Sequence, residues 1–171
     1  LPEKAILHFS GPYGLPATME FSRNNTNYTL HTTVKIPFKP MVFRSEGSIR
    51  NNHLIPHKFT DTRGGKLYAY ANFDTQRKEI QYGRAGEQKT AKMKYLSQDF
   101  FTLAWQIALH EGGLKESVQA TNGKKIYIRN RFEEAALTTQ TINNRETPIR
   151  LFINGVGDDR IELGIAPEFH H

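Results

Sequence analysis

Alternation with a period of two dominates this chain, and "YTLHTTVKIPF" at 28 to 38 shows it most clearly. Tyr28, Leu30, Val34, Ile36 and Phe38 share one face there, while Thr29, His31, Thr33 and Lys35 take the other. The pattern predicts a long strand with one dry side. It returns with Met41, Phe43 and Ile49 against Arg44, Glu46 and Arg50, and with Ile126, Ile128 and Phe132 against Lys125, Arg129 and Arg131. Near the end it recurs as Ile149, Leu151 and Ile153, then Ile161, Leu163 and Ile165. Strands with one wet and one dry face are the mark of antiparallel pairing. Turn residues divide the runs: "GPYG" at 11 to 14, Arg23-Asn24-Asn25, Asn51-Asn52, Arg63-Gly64-Gly65, Asn122-Gly123 and "NGVGDD" at 154 to 159. Asn122-Gly123 predicts a two-residue hairpin, because a type I′ turn needs positive φ at both central positions. About nine or ten strands follow from this punctuation.

One stretch breaks the alternation. "YLSQDFFTLAWQIALHEGG" at 95 to 113 predicts a helix over about residues 98–111, with Ser97 as N-cap and Gly112-Gly113 as the stop. Leu96 and Phe101 take the two positions of a hydrophobic staple. At 100° per residue, Gln98, Asp99, Thr102, Gln106 and His110 fall in one arc, read as the solvent-facing side. Phe100, Phe101, Leu103, Ala104, Trp105, Ile107 and Ala108 cover most of the rest, too wide an arc for a helix resting on a flat surface. The expected architecture is mainly β (α+β): a curved antiparallel sheet or half-barrel wrapped around one central helix. No repeat or linker divides the chain, so residues 1–171 are read as a single domain.

The helical segment "YLSQDFFTLAWQIAL" resembles a motif of a family of exported Gram-negative bacterial proteins catalogued as a domain of unknown function. "GLPATMEFSRNNTNYTLHTTV" is similar to that family's opening hairpin, and "RIELGIAPEFHH" to its penultimate strand. Two features depart from the pattern. Thr102 stands where a small Ser is more usual, and the chain stops at His171, before the family's last strand. The resemblance implies a periplasmic or envelope location and a fold similar to the periplasmic lipoprotein carriers. It carries no reaction, cofactor or catalytic residue.

Composition narrows the classes further. At 171 residues and 37% hydrophobic content the chain suits one core, and no run reaches the ~20 apolar residues of a membrane-spanning helix. "LPEKAILHFS" lacks the pattern of a signal peptide, and the start at Leu1 leaves room for a removed leader. Cysteine is absent, which excludes disulfides, thiolate nucleophiles and cysteine metal sites. Lys and Arg outnumber Asp and Glu by 23 to 17, a surplus of +6 that favours anionic partners yet is scattered along the sequence.

Candidate chemistry is sparse. No nucleophile elbow, zincin helix, phosphate loop or dinucleotide fingerprint is present, so a non-enzyme without cofactor or metal is expected. Asp99 and His110 lie about 16 Å apart along a helix, too far to act together. His53 and His57 read as strand residues, spaced too widely for a zinc pair. Asp158-Asp159 reads as a turn. Tyr68, Tyr70 and Tyr127, with Arg129 and Arg131, are expected on an outer face, where no RNA-binding motif accompanies them, so no nucleic-acid partner is expected. The leading functional expectation is a carrier of an apolar or lipidic ligand held between sheet and helix, lined by Leu30, Val34, Phe43, Phe101, Trp105, Ala108 and Ile128. The alternative is an envelope interaction or assembly module using a basic outer face or a strand edge.

Overall fold

Asparagine and glycine pairs set the hairpins. Asn51-Asn52 and Gly64-Gly65 have positive φ at both positions and connect strands in direct register, Arg50 opposite His53 and Arg63 opposite Lys66. These turns help build an eight-stranded antiparallel meander of β1 (Lys4–Ser10), β2 (Pro16–Asn24), β3 (Asn27–Val34), β4 (Met41–Arg50), β5 (His53–Arg63), β6 (Lys66–Asp74), β7 (Glu79–Arg84) and β8 (Lys89–Lys92). The computed structural model describes residues 1–10, 15–110, 114–130, 132–155 and 160–166. The expected turn at 11–14, the Gly112-Gly113 stop, Arg131, Asp158-Asp159 and His170-His171 lie outside the described residues.

After β8 the chain changes manner. β9 (Leu96–Asp99) runs directly into α1 (Phe100–Leu109), and β10 (Val118–Thr121) returns parallel to β9. All four residues of β10 are buried, so this strand has no wet face to alternate. β11 (Ile126–Arg129) pairs antiparallel with β10, and β12 (Glu133–Ile142), β13 (Arg145–Asn154) and β14 (Ile161–Ile165) form a third, antiparallel sheet. The molecule is thus mainly β with an open sheet arrangement, and α1 is the one helix among the described residues. The described residues form fourteen strands in three sheets where about nine or ten strands were expected.

Three local expectations are corrected. The N-cap is Asp99, whose Oδ1 accepts from the backbone N–H groups of Phe101 and Thr102, each at 3.0 Å; Ser97 belongs to β9, and the Leu96–Phe101 staple spacing therefore no longer applies. Asn122-Gly123 lies in a four-residue loop, since Thr121 pairs with Ile126. In that loop Asn122 Oδ1 accepts from the N–H groups of Lys124 and Lys125, and Gly123, at φ +83°, presses against β6, where an added Cβ would stand 3.0 Å from the Tyr70 nitrogen. Alternation in the 28 to 38 segment ends at Val34, because Pro37 starts a turn closed by Lys39 N–H donating to the Ile36 carbonyl.

Every apolar side of α1 finds a partner. Trp105 joins Met19, Phe21, Tyr28, Leu30 and Leu54 of the large sheet. Phe101 meets Phe43 and Phe59, with ring centroids 4.9 and 6.2 Å away. Leu103 and Ile107 face Val118 and Ala120 of β10, Phe152 of β13, and Phe132, which forms an isolated bridge with Leu114 just before β12. The width of the apolar arc in the sequence reflects these three separate contacts.

Candidate functional site

The polar arc of α1 is buried, contrary to the expected solvent-facing side. Gln98, Asp99, Thr102 and Gln106 are all fully enclosed. β6 pairs with β5 only from Lys58 onward, which leaves the backbone of the first half of β5 in want of partners. Two glutamines supply them: Leu54 N–H donates to Gln106 Oε1 at 2.6 Å, and Gln98 Nε2 donates to the Leu54 carbonyl at 2.8 Å. Beside them Asp99 Oδ2 accepts from Ser45 Oγ at 2.6 Å and Thr102 Oγ1 at 2.7 Å, and the Tyr28 hydroxyl lies 3.1 Å from Thr102 Oγ1. Burial raises the Asp99 carboxyl above the usual range, outweighing the hydrogen bonds from Ser45, Thr102 and the backbone that pull it down. Burial, reinforced by the nearby Asp99 carboxyl, also pushes the Tyr28 hydroxyl far up. This buried cluster fastens helix to sheet.

The expected lining residues pack among themselves. Leu30 and Trp105 are buried, Trp105 at 5% exposure with its ring 4.4 Å from that of Phe21. Val34 is buried too, the Phe43 and Phe101 rings meet at a tilt, and Ala108 is half-buried. Ile128 is a correction: it is 59% exposed. It lies on β11, an edge strand, where Ile126 packs inward and the chain then runs past the covered stretch. Tyr127 departs from its expected outer position by packing at a tilt against Phe100, 5.5 Å between centroids, with Arg129 over its ring.

Among the described residues the histidines do not converge on a metal geometry. His53 lies against His110, 5.0 Å between rings, while His57 Nε2 is 3.2 Å from Ser48 Oγ. Burial, with His53 nearby, lowers the His110 pKa against the opposing pull of Glu116. Among the described residues no three His, Cys, Asp or Glu side chains come together as a metal site.

Charge, by contrast, is gathered by the meander. At the end of the large sheet where β3, β5 and β7 finish and β4, β6 and β8 begin, the β3–β4 connection brings Lys35 and Lys39. Arg63 and Lys66 flank the Gly64-Gly65 turn, and Arg84 and Lys89 flank the β7–β8 turn. The β10–β11 loop adds Lys124 and Lys125. Their focus is Tyr68: the Arg63 guanidinium lies 3.6 Å above its ring centre, and Arg84 and Lys124 each come to 5.8 Å. Two acids share this rim. Buried Asp61 accepts two hydrogen bonds from Arg63, at 3.2 and 3.0 Å, and Glu87 pairs with Lys89 at 3.2 Å. Eight cations against two acids is a surplus equal to the +6 of the whole chain, so the rest of the sequence balances. The rim was missed in the sequence because its members are spread from position 35 to 125 as singles and pairs. The signal was that they recur beside turns.

Two apolar side chains share the rim. Leu67 is 47% exposed, and Phe38 is fully exposed. Phe38 occupies the third position of the turn closed by Ile36 and Lys39, at φ +63°, after Pro37. This is the type II position that favours Gly. The turn is tied to the next one by Gly64 N–H donating to the Pro40 carbonyl at 2.9 Å.

Compared with family models, with curated proteins and with solved structures, the chain gives no match. Also among the described residues, no helix is long and apolar enough to cross a membrane.

Proposed function

We propose that this protein is a non-catalytic binding module that engages an anionic partner through the basic rim of its large sheet. The observation that carries the reading is the concentration of the entire net charge at one end of the sheet, around Tyr68. Like charges held together cost self-repulsion, and an anionic partner relieves it. The setting in this reading is the periplasmic side of a Gram-negative envelope, as the family resemblance implies. A second reading, an apolar or lipidic ligand between sheet and helix, draws on the enclosure of Trp105 and Phe101 by the sheet, and would require the Phe21–Trp105 stack to part.

Binding to dextran sulfate, with uncharged dextran as reference, tests the first reading. Affinity for the sulfated polymer should fall steeply as salt shortens the Debye length below about 8 Å, its value at physiological ionic strength. Equal affinity for both polymers would contradict the reading. Uptake of a fluorescent fatty acid by unmodified protein, at salt-independent affinity, would favour the second.

A further inference from the structure

We infer that the anionic partner is a phospholipid bilayer surface, met edge-on by the rim, with Phe38 and Leu67 entering the boundary between headgroups and acyl chains. This inference rests on the rim being the binding surface and adds what the rim binds. Cations alone would suit any polyanion. The rim also carries a fully exposed aromatic at a turn apex and a half-exposed leucine one residue from Tyr68. A soluble polyanion gives a protruding phenyl ring nothing to bury against, whereas the interfacial zone of a bilayer takes apolar side chains and basic ones together.

The backbone points the same way. Phe38 stands in a left-handed conformation that disfavours every residue with a Cβ, at a position any glycine would fill more easily. Pro37 and Pro40 bracket it, and the Pro40 carbonyl is bonded to the neighbouring turn, so the ring is held out on a stiff support. Residues held in sparsely populated backbone regions cluster where a protein meets its ligands. Lys39 adjoins Phe38, and its Cγ lies 3.4 Å from where a Cβ on Gly64 would be, so the apolar tip and the basic turn at Arg63 form one surface. The Arg63 guanidinium already lies over Tyr68, which leaves Phe38 and Leu67 as the apolar groups free to enter a membrane.

The experiment is cosedimentation with vesicles of equal parts phosphatidylglycerol and phosphatidylcholine, and with vesicles of phosphatidylcholine alone, run beside the dextran sulfate assay. Unmodified protein should bind the anionic vesicles and not the neutral ones. Arg84→Gln with Lys124→Gln should lower partitioning about 25-fold, at about fivefold for each cation near an anionic surface. Phe38→Gly should lower it about tenfold or more while leaving dextran sulfate binding unchanged. Phe38→Trp supplies a direct readout: the introduced indole should shift to the blue and resist iodide only with anionic vesicles, against the constant signal of buried Trp105. Dextran sulfate binding without vesicle binding would overturn the lipid inference and leave the anionic-partner reading intact. Vesicle binding indifferent to Phe38→Gly, with no blue shift, would overturn insertion and hence this inference. Binding to neither would overturn both.

Discussion

Asp99 receives four hydrogen bonds, from two backbone N–H groups and two hydroxyls, and burial still holds its pKa above the usual carboxylate range. The fold therefore favours the protonated form more than the unfolded chain does. That contribution is fully present below the ordinary carboxylate range, about pH 4, and is lost as pH rises through the raised value. Urea denaturation at increasing pH should show this decline, and Asp99→Asn, which keeps an oxygen for the cap, should flatten it. A variant with the same slope as the parent would remove Asp99 as its source. Phe38 makes the opposite kind of case, a residue costly to the fold. Phe38→Gly should raise stability by roughly 1 kcal/mol, because the left-handed position no longer carries a Cβ. Trp105→Ala should lower it by roughly 3 to 5 kcal/mol, since its ring fills the space between α1 and Phe21. Thermal or urea midpoints check both.

Among the elements, α1 with β9 behaves as a surrogate strand for the first half of β5. Gln106→Leu should cost roughly 1 to 3 kcal/mol, because the buried Leu54 N–H would lose its acceptor. Hydrogen exchange should show that amide becoming labile before the rest of β5. Unchanged protection at Leu54 would mean another group satisfies it. Period-two runs such as Tyr28 to Val34 were legible in the sequence because each has one wet face, and Asn51-Asn52 and Gly64-Gly65 were legible because positive φ has few tenants. β10 was legible only through the Asn122-Gly123 turn that follows it, since a strand buried on both faces carries no alternation, and its parallel pairing with β9 left no sign. Nor was the direction of the Gln98–Gln106 stripe legible, because periodicity groups polar residues without saying whether they meet water or an unpaired backbone. Among the candidate lining residues, Leu30, Val34 and Trp105 were rightly read as inward, while Ile128 failed because an edge strand keeps its pattern beyond the surface that covers it.

At the scale of the whole molecule, the described residues form three open sheets that pack on one helix, and the turns at one end of the largest sheet collect the charge. Circular dichroism should accordingly be dominated by β-structure, with the helical signal of a single ten-residue segment. The chain's surplus of cations was visible in its composition, but its location depended on the meander that brings positions 35 to 125 to one rim. The claim that position rather than net charge matters is tested most directly by two variants of equal charge. One reverses the rim, Arg84→Glu with Lys124→Glu. The other reverses the opposite end of the same sheet, Lys4→Glu with Arg50→Glu. With dextran sulfate at physiological ionic strength, the rim pair should weaken binding at least tenfold, while the far pair, more than a Debye length of about 8 Å away, should change it less than twofold. Equal losses in the two variants, or no loss in either, would contradict a binding site at the rim.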